Sequence, residues 1–334
     1  MKLLSHSNGV HKLDREKVSK AKYFKVVALV MVGIIVFGFV AQVITNIIDN
    51  TKLKSKFKYV TIEGYKMEYK LKTGGNYTVV FDGSIGNTMF EWEKVCSSLE
   101  EKKISTFIYN RRGYGFNDGV EARTPEDQAK DLKVLLKKAG APQPYILVGE
   151  EYGSLVMTNF SKLYPESVAG VVLVNPLSEE KIKTQEYKDK LKPLYYKSEF
   201  EAMGTYFSLT SLLSSMGLTT ENKTFKENIS QNELEEFNSF ENMKYYRSAV
   251  SNELGNLYKG DSNSQTAGML GNKPFYLIMN NEDDSIKKLG GEETTTIYNK
   301  EEKQEAPISL LDSNSIVNGV NSILKDLKKL EKKQ

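Results

Sequence analysis

Between Val26 and Ile48 the chain carries no charged side chain, and this run constrains everything on either side of it. Val, Ile, Phe, Ala and Gly dominate it; only Gln42, Thr45 and Asn46 interrupt, near one end. A bilayer core needs roughly 20 apolar residues of helix, so the run is long enough to span. A core helix of a soluble protein would carry a polar face, which this one lacks. A cleavable signal peptide is the competing reading. Against it, the preceding charged region is long, and Phe39-Val40-Ala41 lacks the small residue expected two places before Ala41. The expectation is one retained transmembrane helix, residues 26–48, behind a basic tail of residues 1–25.

Orientation follows from the flanks. The tail holds Lys2, Lys12, Arg15, Lys17, Lys20, Lys22 and Lys25 against Asp14 and Glu16, while the other flank has Lys52, Lys54, Lys56 and Lys58. The basic excess is larger on the N-terminal side, which places the tail in the cytoplasm and the body outside it. The expected location is therefore the cell membrane, single-pass, with an extracytoplasmic body.

Charge balance narrows the function. Forty-six Lys and Arg against 43 Asp and Glu leave +3, too even for a nucleic-acid binder. Cys96 is the single cysteine, which excludes an internal disulfide framework and a cysteine-rich zinc site. The two histidines, His6 and His11, both lie in the tail. No mechanism that needs an imidazole within the body is open to this chain. The tail itself reads as a solvated topology signal rather than a metal site. Heavy Lys and Asn usage with 8 prolines matches the composition of AT-rich bacterial genomes.

From Lys58 onward strand-like and helix-like runs alternate. Tyr59–Ile62, Met67–Leu71, Tyr77–Phe81, Thr106–Tyr109, Tyr145–Val148, Val171–Val174, Phe275–Met279 and Ile308–Leu311 read as strands. Gly64 falls in the turn between the first two. Trp92, Val95 and Leu99 mark one helix face, with Cys96 a buried apolar residue on that helix. Thr124, Pro125 and Asp127 form a capped helix start, followed by Ala129, Leu132 and Leu136 on the buried face. Such alternation predicts a mostly parallel sheet with helices on both faces. The rhythm breaks over residues 177–268, a helical stretch with apolar marks at Phe200, Met203, Phe207, Leu212 and Met216. It resumes in residues 269–330, so the middle block reads as an insertion into one sheet domain that begins with residues 58–176.

Taken in order, these pieces resemble the α/β-hydrolase superfamily, in its branch with a helical cap between the sixth and seventh strands. The resemblance rests on Val79-Val80-Phe81-Asp82-Gly83, Tyr109-Asn110-Arg111-Arg112-Gly113-Tyr114-Gly115 with Asp118, Ile146-Leu147-Val148-Gly149-Glu150-Glu151-Tyr152-Gly153, and Val171 to Pro176. It implies an α/β-hydrolase fold over most of residues 58–330, and no cofactor or metal.

The same resemblance implies a triad whose parts have changed. In Gly-x-Ser-x-Gly the glycines let backbones pack around a strained nucleophile. Gly149 and Gly153 are kept, but Glu151 stands at the nucleophile position and Glu150 where a histidine commonly precedes it. Asp82 replaces the histidine of a His-Gly pair before the oxyanion loop. The resemblance assigns oxyanion donors near Ser84 and Tyr152, and it places Asn314 where the catalytic histidine belongs. Asn281-Glu282-Asp283-Asp284 covers the acid position, with Asp283 the best match. An acid there normally orients an imidazole, and this body has none.

Two functional readings stay open. One is a degenerate family member that binds a small molecule or a protein partner beneath its cap. The other is a hydrolase with Glu151 as a carboxylate nucleophile, as haloalkane dehalogenases of this fold use an aspartate. The first reading includes a specific expectation, that Glu151 occupies its own oxyanion hole. A cation site from Asp82, Glu150, Glu151 and Asp283 is a further arrangement, with Arg111 or Arg112 as the alternative neutralising partner. Ser154 reads as a small packing residue inside the helix.

Overall fold

The computed structural model describes residues 20–53, 57–119, 121–220, 222–280, 283–300 and 307–332. His6 and His11, most of the basic tail, Asn281 and Glu282 lie outside the described residues. The N-terminal helix α1 spans Lys20–Leu53, and its stretch Ala21–Gly38 is long and apolar enough to cross a membrane, with none of it buried inside the protein. One such helix fits membrane association.

Eight strands form one sheet in the order β1-β2-β4-β3-β5-β6-β7-β8. β1 (Lys58–Ile62) and β2 (Tyr65–Lys72) form an antiparallel hairpin, whose turn uses Gly64 at φ 88°, a left-handed conformation that costs glycine little. β2 pairs antiparallel with β4 (Ser105–Tyr109). From β4 onward the pairing is parallel through β3 (Thr78–Asp82), β5 (Tyr145–Glu150), β6 (Val168–Val174), β7 (Phe275–Met279) and β8 (Thr295–Asn299). β3 and β5 are buried along their whole length, as unbroken apolar runs covered on both faces should be.

Helices cover both faces. On one side α3 (Pro125–Ala139) and α4 (Tyr152–Leu163) pack Leu132, Leu136, Val156 and Phe160 against the sheet. On the other, α2 (Glu93–Glu100) and α13 (Ser313–Glu331) bring Val95, Leu99, Ile316 and Val320 against Val79, Ile146 and Val172. α3 begins as its sequence dictates. Thr124 accepts from the Asp127 N–H, Asp127 answers at the Thr124 N–H, and Pro125 takes the first helical position.

Between β6 and β7 the chain builds α5 (Glu179–Ile182), α6 (Gln185–Gly204), α7 (Leu209–Ser215), α8 (Lys223–Asn228), α9 (Gln231–Phe240) and α10 (Lys244–Lys259). The helical reading of this block holds, but its apolar marks do not point to a core. Phe200, Met203, Phe207, Leu212 and Met216 are all at least half exposed. After β7 comes the short α11 (Asp284–Lys287).

One expected strand is corrected. Ile308–Leu311 is a single helical turn, α12, and the eighth strand is Thr295–Asn299. A four-residue apolar run does not distinguish strand from helix by periodicity. Pro307 precedes this run, and Ile308 and Leu310 are buried while Leu311 is exposed. The true edge strand is largely exposed, so it lacks the apolar signature of its buried neighbours.

Candidate functional site

β5 delivers Glu150 and Glu151 to the C-terminal edge of the sheet. The backbone turns sharply there. Glu151 sits at φ 47°, ψ −111°, a conformation that costs a side-chain-bearing residue of order 1–3 kcal/mol and persists only when neighbours enforce it. The enforcement is visible on every side. The Glu151 N–H donates to the Val174 carbonyl (3.1 Å) and the Gly153 N–H to the Gly83 carbonyl (3.1 Å). A Cβ on Gly153 would lie 2.2 Å from the Asp82 carbonyl oxygen, and one on Gly149 would lie 2.8 Å from the Gly153 carbonyl oxygen. Both glycines are required by contact between backbones. Ser154 locks the turn: its hydroxyl donates to the Glu151 carbonyl (2.5 Å) and accepts from the Leu177 N–H (3.0 Å). Its role thus extends beyond packing.

The Glu151 side chain does not cap α4, and the carboxylate at the Ser84 N–H belongs to another residue. Glu91, in the one-turn helix Met89–Trp92, accepts from the Ser84 N–H (3.2 Å), the Ser84 hydroxyl (3.3 Å) and the Ser309 hydroxyl (2.9 Å). The Glu151 carboxylate has the Ser84 and Asn175 side chains beside it, so the Ser84 loop serves both glutamates. Glu150 accepts from the N–H groups of Ile308 and Ser309. Two buried glutamates therefore hold α12 against the end of β5.

The three glutamates form an electrostatic unit. Burial pushes the Glu91 carboxyl up to about 7, opposed by the Ser309 hydroxyl and reinforced by the charge of Glu151. Burial also raises Glu150 far above the ordinary carboxylate range, and the charges of Glu91 and Glu151 add to it. Glu151 is raised by burial as well, while Ser84 and Asn175 favour its charged form. Like charges this close disfavour full ionisation, so protons are retained within the cluster near neutral pH.

The other expected residues are placed apart. Asp82 is buried and bonded to Arg111 and to the Tyr109 hydroxyl (2.7 Å). Arg111 continues to Glu253 of α10 through two bonds (2.6 and 2.9 Å) and lies between the rings of Tyr114 and Tyr152. Of the two candidate arginines, Arg111 neutralises the Asp82 site, and Arg112 pairs with Glu63 and Asp131. Asp283 follows β7 as expected, but its carboxylate caps α11, accepting from the Ser285 N–H (3.0 Å) and hydroxyl. Asn314 is exposed in the first turn of α13. No group of metal-ligating side chains is assembled among the described residues, so Asp82, Glu150, Glu151 and Asp283 are not brought together as one cation site.

A cavity of about 350 Å³ opens over the elbow, between the sheet edge and the helices of residues 179–259. Glu151 and Tyr152 lie at one side of it. Tyr187, Leu194, Val250 and Leu254 supply apolar wall, and Arg247 and Asn222 supply polar groups. Arg247 is paired with the buried Glu201 (2.9 Å), and its Nε has no hydrogen-bond partner. Glu91 and Ser309 escaped sequence reasoning because only the fold brings Ser309 to the Glu91 carboxyl that Ser84 also meets; the one signal was a glutamate between Phe90 and Trp92.

This sheet order, with a strained turn after β5 and helices inserted after β6, defines a hydrolase-type α/β architecture. A profile of the alpha/beta hydrolase fold matches residues 77–286, and the chain belongs to that family. The uncharacterized protein YqjL of Bacillus subtilis is 28% identical over 121 residues, covering 36% of this chain and 47% of that protein. The α/β hydrolase domain-containing protein VTE7 of Arabidopsis thaliana is 33% identical over 91 residues, 27% of each chain. The matched regions thus span less than half the length of these relatives. Among solved structures, the epoxide hydrolase CorEH superposes with TM-score 0.63 at 13% identity, covering 81% of this chain and 99% of that one. An esterase of Thermogutta terrifontis gives 0.57 at 14%, covering 81% and 97%. At these identities the structural likeness speaks for the fold.

Proposed function

We propose that this is a membrane-anchored α/β-hydrolase-fold protein whose site has left serine-hydrolase chemistry and serves to bind a ligand. Residues 177–268 act as a cap over one sheet domain made of residues 58–176 and 269–330, and the ligand occupies the cavity between them. The observation that carries this reading is Glu91 on the Ser84 N–H. A backbone donor needed for a developing oxyanion is already engaged by a fixed carboxyl, and losing one such donor costs roughly 3–4 kcal/mol in the barrier. The absence of histidine from residues 12–334 removes the usual general base as well. Apolar walls with a few polar groups suit a ligand of mixed character.

A second reading has its own support. Glu151 holds the strained elbow conformation and borders the cavity, which is the placement a carboxylate nucleophile needs. The test uses the full-length protein in detergent against a panel of short-chain acyl esters, with Glu151→Gln and Glu151→Ser alongside. No turnover by the wild type supports the binding reading. Turnover that Glu151→Gln abolishes overturns it in favour of a carboxylate enzyme.

A further inference from the structure

Charged residues make up 27% of this chain, yet none occurs from Ala202 to Thr220. That stretch ends α6, turns through the single helical turn Thr205–Phe207, and forms α7. A charge-free surface segment in a charge-rich protein is unusual, and its apolar side chains face outward. Met203 is 60% exposed, Phe207 56% and Met216 63%, with Phe200, Leu212 and Leu218 exposed beside them. An apolar patch of this kind marks an interaction surface. The preceding glutamate, Glu201, is withdrawn from that surface into a buried pair with Arg247.

What covers the patch is indicated by its neighbour. α1 packs on the Thr205–Phe207 turn. The Ser208 hydroxyl donates to the Gly38 carbonyl (2.6 Å), and a Cβ on Gly38 would sit 3.2 Å from the Phe207 carbonyl oxygen. Gly38 is four residues before Gln42 and seven before Thr45, the first polar residues of the apolar run. At about 1.5 Å of rise per residue, the contact lies roughly 6–10 Å inside the apolar length of the helix. Any bilayer that surrounds α1 to the end of its apolar run must also reach the corner that touches Gly38. The rim has suitable chemistry: Lys244 stands over the Tyr206 ring at 4.5 Å, a cation and an amphipathic aromatic of the type favoured at headgroup level.

We propose that the α6–α7 corner is a membrane-insertion surface, its occupant the outer part of the same bilayer that α1 crosses. Insertion to this depth matches that of interfacial amphipathic segments, about 5–10 Å into the acyl boundary. The body then stands on the membrane at two points, the anchor and the corner. Leu194 of α6, which lines the cavity, belongs to the same helix as Phe200 and Met203, so the cavity is held close to the lipid surface. This inference rests on α1 being a retained membrane anchor, and its test separates the two.

The full-length protein is reconstituted in vesicles of equimolar phosphatidylethanolamine and phosphatidylglycerol. Single bimane probes are placed through Met203→Cys, Leu212→Cys, Val40→Cys and Lys102→Cys, the last on the turn before β4. Cys96 is buried, and labelling of the parent protein measures its background. Lipids with a nitroxide on the acyl chain should quench Met203→Cys and Leu212→Cys as strongly as Val40→Cys, with no loss of fluorescence at Lys102→Cys. Quenching at Val40→Cys without quenching at Met203→Cys and Leu212→Cys overturns the insertion while leaving the anchor intact; a protein partner or a second copy on the patch gives that result. No quenching at Val40→Cys removes the anchor and this inference with it.

Discussion

Glu91 accepts the backbone N–H of Ser84 at 3.2 Å, so one buried carboxyl engages the loop donor that we propose as an oxyanion-hole position. The Ser309 hydroxyl, arriving from α12, bonds to the same carboxyl. Site and scaffold are therefore one network, which has consequences for stability.

Stability should fall as pH rises from about 5 to 8. The unfolded Glu91 carboxyl ionises near the ordinary 4.5, whereas the folded one keeps its proton up to about 7. Between those values the native state binds more protons, and its advantage is lost as pH rises. Glu150 and Glu151 are raised in the same direction. Thermal unfolding measured across this range should show a declining midpoint, and Glu91→Gln should flatten the decline. An unchanged slope in Glu91→Gln would place the titration elsewhere.

Glu150→Ala should lower stability by about 2 kcal/mol or more. It strands the Ile308 and Ser309 N–H groups in a buried site, and each unsatisfied donor costs about 1–3 kcal/mol. Urea unfolding reads the loss, and faster amide exchange at Ile308 and Ser309 would locate it.

Arg111→Met should destabilise the protein by about 3–5 kcal/mol, because it leaves Asp82 and Glu253 buried without a counter-charge. Arg111→Lys should recover little of this. A single ammonium cannot make the paired contacts to Glu253 and still reach Asp82, Gly83 and Ser84. Equilibrium unfolding of both variants checks the order.

Glu151→Gly should be more stable than the wild type, by about 1–3 kcal/mol, since it relieves the strained backbone. Gly153→Ala should behave oppositely and fail to fold or unfold far more easily, because its Cβ has backbone atoms at 2.2 and 2.5 Å. A stable Gly153→Ala protein would mean that β3 and α4 can separate at the elbow. Comparing thermal midpoints of the two variants tests both statements.

Much of this molecule is legible in local sequence. The apolar run from Val26 is legible by length and composition alone, as a helix long enough to cross a bilayer. The buried strands at Val79, Ile146 and Val171 announce themselves as unbroken apolar runs, and Thr124, Pro125 and Asp127 specify a helix start through bonds made within one turn. Gly149 and Gly153 forecast the tight elbow because only a residue without Cβ tolerates that approach. The lack of histidine in the body is a matter of counting.

Other features depend on contacts between residues far apart in the chain. Ile308–Leu311 became a helical turn rather than a strand where Glu150, 158 residues earlier, receives its N–H groups. Glu91 reached Ser84 and Ser309 only through the packing of its short helix on β3 and α12. Asp283 is different, since its carboxyl caps α11 through Ser285, only two residues further on. The apolar residues of α6 and α7 showed helical spacing in sequence, but spacing does not say which side faces a core. That was decided by where α1 and the sheet lie, because burial is a property of the neighbours a residue meets and not of the residue alone.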